Sequence, residues 1–299
     1  MNKQNLIVLC IMLGVFCTAK SQDTTLGRIE YTYLPQADSN NEFQRLRVSG
    51  NYPIKMDDNG TYFVIGAQYR FNNLKINDDI GIAETGTINN FHTAGLEFGY
   101  TFKMKNDWRF GAKLGVRISS DFEASGIDGD DFRYTGSIFF VKSKNKKQEP
   151  LNSRWILGLR YTTPASLNFP LPIINYFERF HVNWSYSLGT PKSNIKYFIN
   201  EKNTVQAFVS LDRFYANLQK NRAFTDESGA MQQAENISML NIVSALGYEY
   251  YFTEHILFYA YTGYTLSNEI RLRNRDQDNV LTINDKNTFY VRSGIKLKI

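Results

Sequence analysis

Strict alternation of apolar and polar residues recurs along this chain and limits its possible folds more than any other feature. In residues 108–119, WRFGAKLGVRIS, the even positions are apolar, and the odd positions carry Arg109, Lys113 and Arg117 among small residues. Because successive side chains of a β-strand point to opposite faces, this pattern predicts a strand with one apolar and one cationic face. Similar segments recur at 43–52, 61–71, 154–161 and 291–299.

The alternating segments and the turn residues between them predict an all-β chain of about twelve strands, with ten or fourteen strands as the alternatives. Helical periodicity is not convincing in any segment. The strands are expected at 26–34, 43–54, 61–71, 89–104, 107–119, 131–142, 153–163, 176–199, 203–216, 238–252, 255–270 and 286–299.

The connections between these strands alternate in length. Short turns are expected at 55–60, 105–107, 200–203 and 253–255, and long polar loops at 35–42, 72–88, 120–131, 217–238 and 271–285. Short turns at one end and long loops at the other are typical of a transmembrane, antiparallel up-and-down β-barrel, with both termini in the periplasm. A β-sandwich would not produce this alternation, and a soluble secreted β-protein is the rival fold.

Residues 1–22 have the composition of a secretory signal peptide. A lysine precedes an apolar run at 6–16, and small residues follow, so we expect cleavage just after Ser21 or Gln22. The run is too short for a transmembrane helix, which needs about 20 apolar residues. Both cysteines of the chain lie in this segment, so the expected barrel domain at 23–299 contains none.

Composition argues against one class of partner and supports a membrane barrel. The formal net charge of +5 falls to about +3 without the two lysines of the signal peptide, and the remaining charges are well mixed, so we expect no nucleic-acid partner. The chain has 22 Phe, 19 Tyr and 3 Trp. Many aromatic residues fall near the ends of the predicted strands, as the girdles at two membrane interfaces require.

Three stretches carry a resemblance to a known family: 27–55 (GRIEYTYLPQADSN…RLRVSGNYPIK), 168–200 (NFPLPIINYFERFHVNWSYSLGTPKSNIKYFIN) and 206–218 (QAFVSLDRFYANL). Together they resemble outer-membrane β-barrels of unknown function found in Bacteroidota. The resemblance spans most of the chain after the signal peptide and implies an architecture rather than a chemistry, with no known catalytic residues. The amphipathic final strand is similar to those read by the barrel assembly machinery, an expected partner in biogenesis.

Three prolines lie near the predicted strand 176–199. Proline cannot donate a hydrogen bond to a β-ladder, so it marks loops, bulges or edges. We place Pro170 and Pro172 in an outer loop at 163–175 that could fold inward as a constriction. Pro191 is expected at a bulge within one long strand.

A search for catalytic and metal-binding patterns gives no candidate site. Of the three histidines, His255 falls in a predicted turn, His92 on an apolar face at the outer interface, and His181 on a polar face with Asn183 and Ser185. Neighbouring same-face residues of a strand are about 7 Å apart, so His181 and Ser185 could not hydrogen-bond directly. Acid-rich loops lack calcium-binding spacing, and no catalytic, cofactor or metal site is predicted.

Strand parity also predicts which charges face the lumen. The expected inward cations are Arg45, Arg47, Arg70, Arg109, Lys113, Arg117, Arg133, Arg154, Arg160, Arg292, Lys296 and Lys298, and the expected inward acids are Glu30, Glu97, Asp212 and Glu249. Such an excess of cations would attract anions by focusing the electric field. Alternatively, these charges pair across the lumen and fill it.

These patterns support three hypotheses about function. The first is a narrow passive channel whose basic lumen favours small anionic solutes. The second is a closed structural or ligand-binding barrel that meets partners through its long outer loops. The third and weakest is an outer-membrane enzyme that modifies lipid, because no nucleophile–base pair is evident. In each case outer-membrane lipid is an expected partner, and the sequence does not predict the oligomeric state.

Overall fold

The computed structural model describes residues 25–77, 88–124, 126–145, 150–167, 169–225 and 229–298, which fold almost entirely into β-strands. The strands are β1 (Thr25–Pro35), β2 (Glu42–Lys55), β3 (Tyr62–Lys75), β4 (Asn90–Lys103), β5 (Trp108–Ser120), β6 (Phe132–Asn145), β7 (Asn152–Thr163), β8 (Leu171–His181), β9 (Trp184–Gly189), β10 (Lys192–Phe198), β11 (Asn203–Thr225), β12 (Met231–Tyr251), β13 (Ile256–Arg273), β14 (Asn279–Asn284) and β15 (Phe289–Lys298). Among the described residues, the one helical segment is a 3-10 turn at Gly129–Asp131, and no helix is long and apolar enough to cross a membrane. The predicted signal peptide lies outside the described residues.

Fourteen of the described strands close into one antiparallel barrel. Strands β1 to β13 pair in sequence order, and β15 closes the ring by pairing with both β13 and β1. The extra strand, β14, pairs with the last residues of β13. The expectation of an all-β antiparallel barrel is confirmed, the count of twelve strands is wrong, and the alternative count of fourteen is right. We call the end that carries Thr25 and Lys298 the terminal end and the opposite end the loop end.

The two additional barrel strands come from residues 176–199. One strand is predicted there, but the structure has the three short strands β8, β9 and β10. A β-bulge after Arg179 places the even-numbered residues of β8 and β9 on one face, so the alternation continues unbroken through the turn at 182–183. Pro191 lies in the turn between β9 and β10 instead of at a bulge, and Pro172 lies within β8.

The prediction of an outer loop at 217–238 is also wrong. Strand β11 continues to residue 225 and β12 begins at residue 231, so the two form one long hairpin. The segment reads as a solvated loop because it is polar, but several of its polar side chains are buried. Asn217, Gln219, Arg222 and Asn236 are each less than a tenth exposed.

The outer surface of the barrel is apolar on every side. Exposed aliphatic side chains include Ile29, Leu46, Val48, Leu96, Leu114, Ile138, Leu157, Ile174, Leu188, Val209, Leu246, Leu266, Val291 and Ile295. Aromatic rings pair near the terminal end, as Trp155 does with Tyr176 at 4.5 Å and Trp184 with Tyr197 at 4.7 Å between ring centroids. A soluble monomer rarely exposes a continuous apolar surface of this extent, whereas a membrane barrel needs an apolar band with an aromatic border.

The outer part of the β11–β12 hairpin leaves the wall and crosses the lumen. Strand β11 pairs with β10 up to Ser210, and seven residues further on Asn217 pairs in parallel with Ser120 of β5. Between these points Ser119 Oγ donates to the carbonyl oxygen of Tyr215 at 2.7 Å. We call residues 212–225 and 231–241 the crossing hairpin.

An apolar layer fills the lumen between the crossing hairpin and strands β1 to β4 and β13. Phe214 of the hairpin packs on Phe43 and Phe91, with ring centroids 6.0 and 5.3 Å apart. The buried members of this apolar layer are Leu34, Phe43, Leu74, Ile88, Phe91, Phe214, Ala216, Leu218, Phe224, Ala234, Ile237, Met239, Ile270 and Leu272. Burial of each leucine, isoleucine, methionine or phenylalanine side chain stabilises the fold by about 1.5–3 kcal/mol. Together the side chains of the apolar layer close the lumen toward the loop end.

Candidate anion-binding site in the lumen

A cavity of about 260 Å³ lies in the lumen beside the crossing hairpin, and arginine side chains dominate its lining. Eight arginines and two carboxylates contribute to its wall. The arginines are Arg45, Arg47, Arg70, Arg117, Arg133, Arg160, Arg213 and Arg292, and the carboxylates are Glu30 and Asp212. We call it the arginine cavity.

Strand register places some of these arginines directly opposite one another. Arg47 of β2 is paired with Arg70 of β3, and Arg117 of β5 is paired with Arg133 of β6. Like charges at directly opposite positions destabilise a sheet. The stability of the barrel therefore does not account for these two pairs.

Asp212 is the carboxylate most deeply enclosed by arginines. Its Oδ1 accepts from Arg45 Nη1 at 2.6 Å, and its Oδ2 accepts from Arg292 Nη2. Arg45 also donates through Nε to the side-chain oxygen of Asn72 at 2.7 Å. These contacts fix two guanidinium groups at one side of the cavity.

Two further carboxylates neutralise part of the remaining charge. Glu30 accepts a hydrogen bond from Tyr259 Oη at 2.6 Å and lies 3.8 Å from Arg292 Nε. Glu97, beside the cavity, bonds to Arg117 and lies 3.8 Å from Arg160 Nη2. Carboxylates therefore compensate the arginines only in part.

Several guanidinium nitrogens around the cavity are buried without a partner among the described residues. One such nitrogen belongs to each of Arg45, Arg47, Arg70, Arg117 and Arg160. A buried donor without an acceptor costs about 1–3 kcal/mol, and more when the group is charged. An anion with several oxygens, or water, would satisfy these donors.

The crossing hairpin adds a cation that the sequence analysis missed. Parity places Arg213 with Val205 and Val209, which are exposed on the outer surface, but β11 has left the wall at this point and Arg213 lines the cavity. Arg133 extends toward the same segment and donates to the carbonyl oxygens of Pro164 (2.8 Å) and Tyr215 (3.0 Å). The signal available in the sequence was an arginine at a position where the alternation predicts an apolar side chain on the outer face.

Of the predicted lumen residues, Arg45, Arg47, Arg70, Arg117, Arg133, Arg160, Arg292, Glu30 and Asp212 line the arginine cavity. The others, Arg109, Lys113, Arg154, Lys296, Lys298, Glu97 and Glu249, do not belong to its lining.

These other residues make separate contacts. Arg109 donates to the carbonyl oxygen of Gly60 at 2.9 Å, Lys113 Nζ lies 3.6 Å from Glu97, and Lys298 Nζ donates to Tyr251 Oη at 3.2 Å. Cations lie over aromatic rings at 5.6 Å for Arg154 on Phe177 and 4.3 Å for Lys296 on Tyr259. Glu249 accepts from Lys196 at 2.5 Å, Gln206 at 2.7 Å and Tyr261 at 3.0 Å.

The histidines do not assemble a catalytic site with the described residues. His92 Nδ1 is 2.8 Å from Tyr69 Oη on the outer face. His181 ends β8 at an exposed turn, where its Nδ1 accepts from the Asn183 N–H at 3.1 Å, and the buried Ser185 belongs to the next strand. His255 is exposed in the turn before β13.

The acid-rich turns are satisfied by local hydrogen bonds. In the turn after β2, Asp57 accepts from the N–H of Thr61 at 2.9 Å and from its hydroxyl at 2.7 Å, and these bonds lower the pKa of Asp57. Asp128 and Asp131 cap the 3-10 turn. Within the described residues, no group of three or more His, Cys, Asp or Glu side chains is arranged to hold a metal ion.

A polar network fastens the crossing hairpin to the loop that follows β5. Arg222 Nη2 lies 3.3 Å from Asp121 Oδ2 and also bonds to Glu123. Asp131 accepts hydrogen bonds from Asn217 at 2.8 Å and from Gln219 at 2.7 Å. Burial raises the pKa of Asp121, although Arg222 opposes the shift. We call these six residues the latch.

Comparison with solved structures finds barrels of low similarity. A deltaS2 mutant of the TodX monoaromatic hydrocarbon channel is 9% identical, with 92% of this chain and 90% of that chain covered and a TM-score of 0.37. The KdgM porin is 10% identical, with 91% and 99% covered and a TM-score of 0.35. LpxR from Salmonella typhimurium is 8% identical, with 91% and 100% covered and a TM-score of 0.37. At such identities the likeness concerns the fold alone.

Sequence comparison places the chain in a family without assigning it a chemistry. No curated protein was found whose sequence matches this chain. A family model described as a domain of unknown function, DUF6268, matches residues 30–298. That match covers nearly all of the described barrel, and the chain belongs to the DUF6268 family.

Proposed function

We propose that this protein is an outer-membrane β-barrel that binds a small anion in the arginine cavity. The observation that carries the proposal is that, among the described residues, eight arginines and two carboxylates line that cavity. Arginine presents a planar fork of donors that matches the oxygens of phosphate or carboxylate in a bidentate arrangement.

Location in the outer membrane is supported by the surface of the barrel. Each of the fourteen described strands of the ring pairs with a neighbour on both sides, and the exposed outer face is apolar with aromatic pairs near the terminal end. In a bilayer, backbone groups must be satisfied internally, which a closed barrel achieves. The signal peptide, the Bacteroidota origin and the barrel assembly machinery stay predictions.

An anion would resolve the unfavourable electrostatics of the cavity. The two guanidinium groups within each of the pairs Arg47–Arg70 and Arg117–Arg133 repel each other, and buried nitrogens beside them have no acceptor among the described residues. A buried charge left uncompensated when one partner of an ion pair is removed typically costs about 3–5 kcal/mol. Negative charge from a ligand would offset that cost in the occupied barrel.

A narrow anion-favouring channel is the second candidate, and the same positive lumen supports it. The apolar layer and the crossing hairpin obstruct the axis, so conduction along it requires the hairpin to move. Conductance across a planar bilayer under a salt gradient tests this candidate. Steady anion-selective current from the wild-type barrel would favour the channel over a closed binding site.

The other two hypotheses have less support. Partner binding through outer loops would involve residues 274–288, which include β14. A lipid-modifying enzyme needs a nucleophile beside a base, and His181 and Ser185 lie on separate strands without a hydrogen bond between them among the described contacts.

The proposed anion site is tested by thermal unfolding of the purified barrel with added inorganic phosphate or pyrophosphate. Binding to the folded state raises stability with ligand concentration, by about 2.7 kcal/mol at a hundred times Kd. We expect stabilisation of the wild type and a loss of affinity of about tenfold in Arg70→Gln. Arg109→Gln, an inward arginine outside the cavity, is the matched control and should respond as the wild type does.

Two outcomes would contradict the proposal. One is an unchanged melting temperature of the wild type at any phosphate or pyrophosphate concentration up to about 10 mM, well above a physiologically useful Kd. The other is an equal response of Arg70→Gln and the wild type.

A further inference from the structure

Between β7 and β11 the strand-paired part of the barrel wall ends short of the loop end, and we call this part the low wall. Strand β7 pairs with β8 only up to Arg160, and β11 pairs with β10 only up to Ser210, although both strands continue beyond these residues. Among the described residues, the wall above these points is completed by the turns at 164–167 and 190–191. The second turn is joined to β11 by the Leu211 N–H, which donates to the Pro191 carbonyl oxygen at 3.0 Å.

These two turns also form one side of the arginine cavity. Ala165 and Ser166 of the first turn line it, as does Pro191 of the second. Ala165 and Ser166 are at most 4% exposed. Among the described residues that line the cavity, Pro191 is the one that is exposed, and the others are buried or half-buried. The arginine cavity therefore comes closest to the outside at the low wall.

The outer surface around Pro191 is apolar. Ile174 and Leu188, which flank the turn at 190–191, are 52% and 57% exposed, and Phe169 of the neighbouring turn is 51% exposed. The carbonyl oxygen of Ile174 accepts from the Thr190 N–H at 2.9 Å, so this apolar surface reaches the turn itself. The low wall consequently faces the acyl chains of a bilayer rather than water.

The described residues at the loop end offer no equivalent approach to the cavity. The apolar layer lies between the cavity and the loop end, and the latch holds the crossing hairpin over it. A charged ligand that arrived along the axis would have to cross that layer and lose its hydration. Entry at the low wall does not require the ligand to cross the apolar layer, and the guanidinium groups behind the wall replace the lost hydration.

The dimensions and chemistry of the cavity limit what it can hold. Its 260 Å³ is smaller than the roughly 300–1,000 Å³ typical of sites for complete drug-sized ligands. It suits one compact anionic group such as a phosphate monoester. Several convergent guanidinium groups can bind the oxygens of such a group in bidentate pairs.

We propose that the arginine cavity takes the phosphate head group of an anionic lipid through the low wall, while the acyl chains stay in the bilayer against Ile174 and Leu188. This inference rests on the proposed anion site and adds the source of the anion and its route. The phosphate of such a lipid would bind the arginines of the cavity while its acyl chains contact the apolar surface at the low wall. Free inorganic phosphate could make only the first of these interactions.

The test measures binding to the full-length barrel in neutral detergent, by native mass spectrometry and thermal unfolding. Three probes are compared: dioleoyl phosphatidic acid, dioleoyl phosphatidylcholine and inorganic phosphate. We expect phosphatidic acid to bind at least about tenfold more tightly than either of the others. Arg133→Gln, within the cavity, should weaken both phosphatidic acid and inorganic phosphate.

A variant of the entrance tests the route. Leu188→Asp places an anionic group beside the low wall and should weaken phosphatidic acid binding by about tenfold. Leu246→Asp is the matched control, because Leu246 is equally apolar, 66% exposed on the outer face of β12 and away from the entrance. Heat-modifiable gel migration reports folding of each variant, and Ile174→Asn replaces Leu188→Asp should the latter not fold.

The outcomes separate this inference from the proposed function. If inorganic phosphate binds but phosphatidic acid binds no better than phosphatidylcholine, the lipid ligand is wrong and the anion site stands. Equal binding of phosphatidic acid by the entrance variant and by Leu246→Asp would overturn the route. If no phosphate probe binds the wild type, the proposed anion site itself is wrong.

Discussion

The apolar layer and the arginine cavity are neighbouring parts of one lumen, built from the same strands but with opposite chemistry. In β2, Phe43 belongs to the layer and Arg45, two residues further, lines the cavity. In β11, Phe214 packs in the layer while Asp212 bonds to the arginines. The alternation therefore predicts only that a side chain points into the lumen. Its position along the barrel axis decides whether its surroundings are apolar or charged.

This difference separates stability from binding. Burial in the apolar layer favours the folded state, whereas the opposed arginines disfavour it unless counter-charge is present. Substitutions in the two parts should therefore change stability by different amounts, and some with opposite sign.

The largest effect is expected from Phe91→Ala, which removes a fully buried ring from the apolar layer. Loss of burial and the cavity left behind should lower the free energy of unfolding by about 3–5 kcal/mol. Urea titration of the refolded barrel measures it. Phe98→Ala on the outer face of the same strand, where the ring is 45% exposed, is the control and should cost much less.

Asp212→Asn should have the next largest effect. It removes the carboxylate that bridges Arg45 and Arg292 and leaves both guanidinium groups without that counter-charge. We expect a loss of about 3 kcal/mol, with part of it restored by added phosphate. Asp276→Asn in an exposed loop should be neutral; a loss at Asp212 that phosphate leaves unchanged would contradict a shared anion site.

Arg222→Gln should loosen the latch with a smaller loss, about 1–2 kcal/mol, because glutamine keeps a hydrogen-bond donor beside Asp121 and the second partner, Glu123, is about a quarter exposed. Hydrogen exchange should accelerate in residues 212–225 and stay unchanged in β1 and β2. Lys220→Gln is the control, since Lys220 is exposed and 4.0 Å from Glu123. Unchanged exchange of the hairpin in Arg222→Gln would show that the latch does not hold it.

The pH dependence of the latch should follow Asp121. Burial raises the pKa of Asp121 in the folded state, so folding favours its protonated form. The stability contributed by this group is complete below its unfolded pKa and is lost as pH rises through the folded value. In Asp121→Asn this part of the pH dependence should disappear, as urea titrations across acidic to neutral pH would show.

Arg70→Gln should give the smallest change in stability, and in the opposite direction. Within the described residues Arg70 has no ion pair with a carboxylate, and it lies opposite Arg47. Removing its charge without an added anion should leave stability unchanged or raise it by up to about 1 kcal/mol. A clear loss of stability in low-salt urea titrations would mean that Arg70 is held by contacts other than those of an anion site.

Much of the barrel could be predicted because a membrane wall imposes period-two alternation. Strands such as β5 show their ends and both faces directly in the sequence. The alternation does not show the turn at 182–183, because the bulge after Arg179 leaves even-numbered residues on the outer face in both β8 and β9. At 190–191 the outward positions change from even-numbered, as at Leu188, to odd-numbered, as at Ile195. Pro191 marks this turn in the sequence.

The cavity could be predicted only in part. Parity identifies Arg45, Arg47 and Arg117 as inward but does not show that they converge, since convergence depends on register and barrel closure. Arg213 could not be placed, because β11 leaves the wall through long-range contacts with β5 that no local pattern encodes.

The parallel contact between β5 and β11 has a consequence for how the barrel is wound. It joins β1 to β5 with β11, β12, β13 and β15 into a second circuit of nine described strands, stacked on the ring of fourteen. Strands that reverse direction at every step cannot close an odd circuit without one like-directed seam. That seam consists of one ladder pair, Asn217 with Ser120, so the smaller circuit has its shortest strand pairing between β5 and β11.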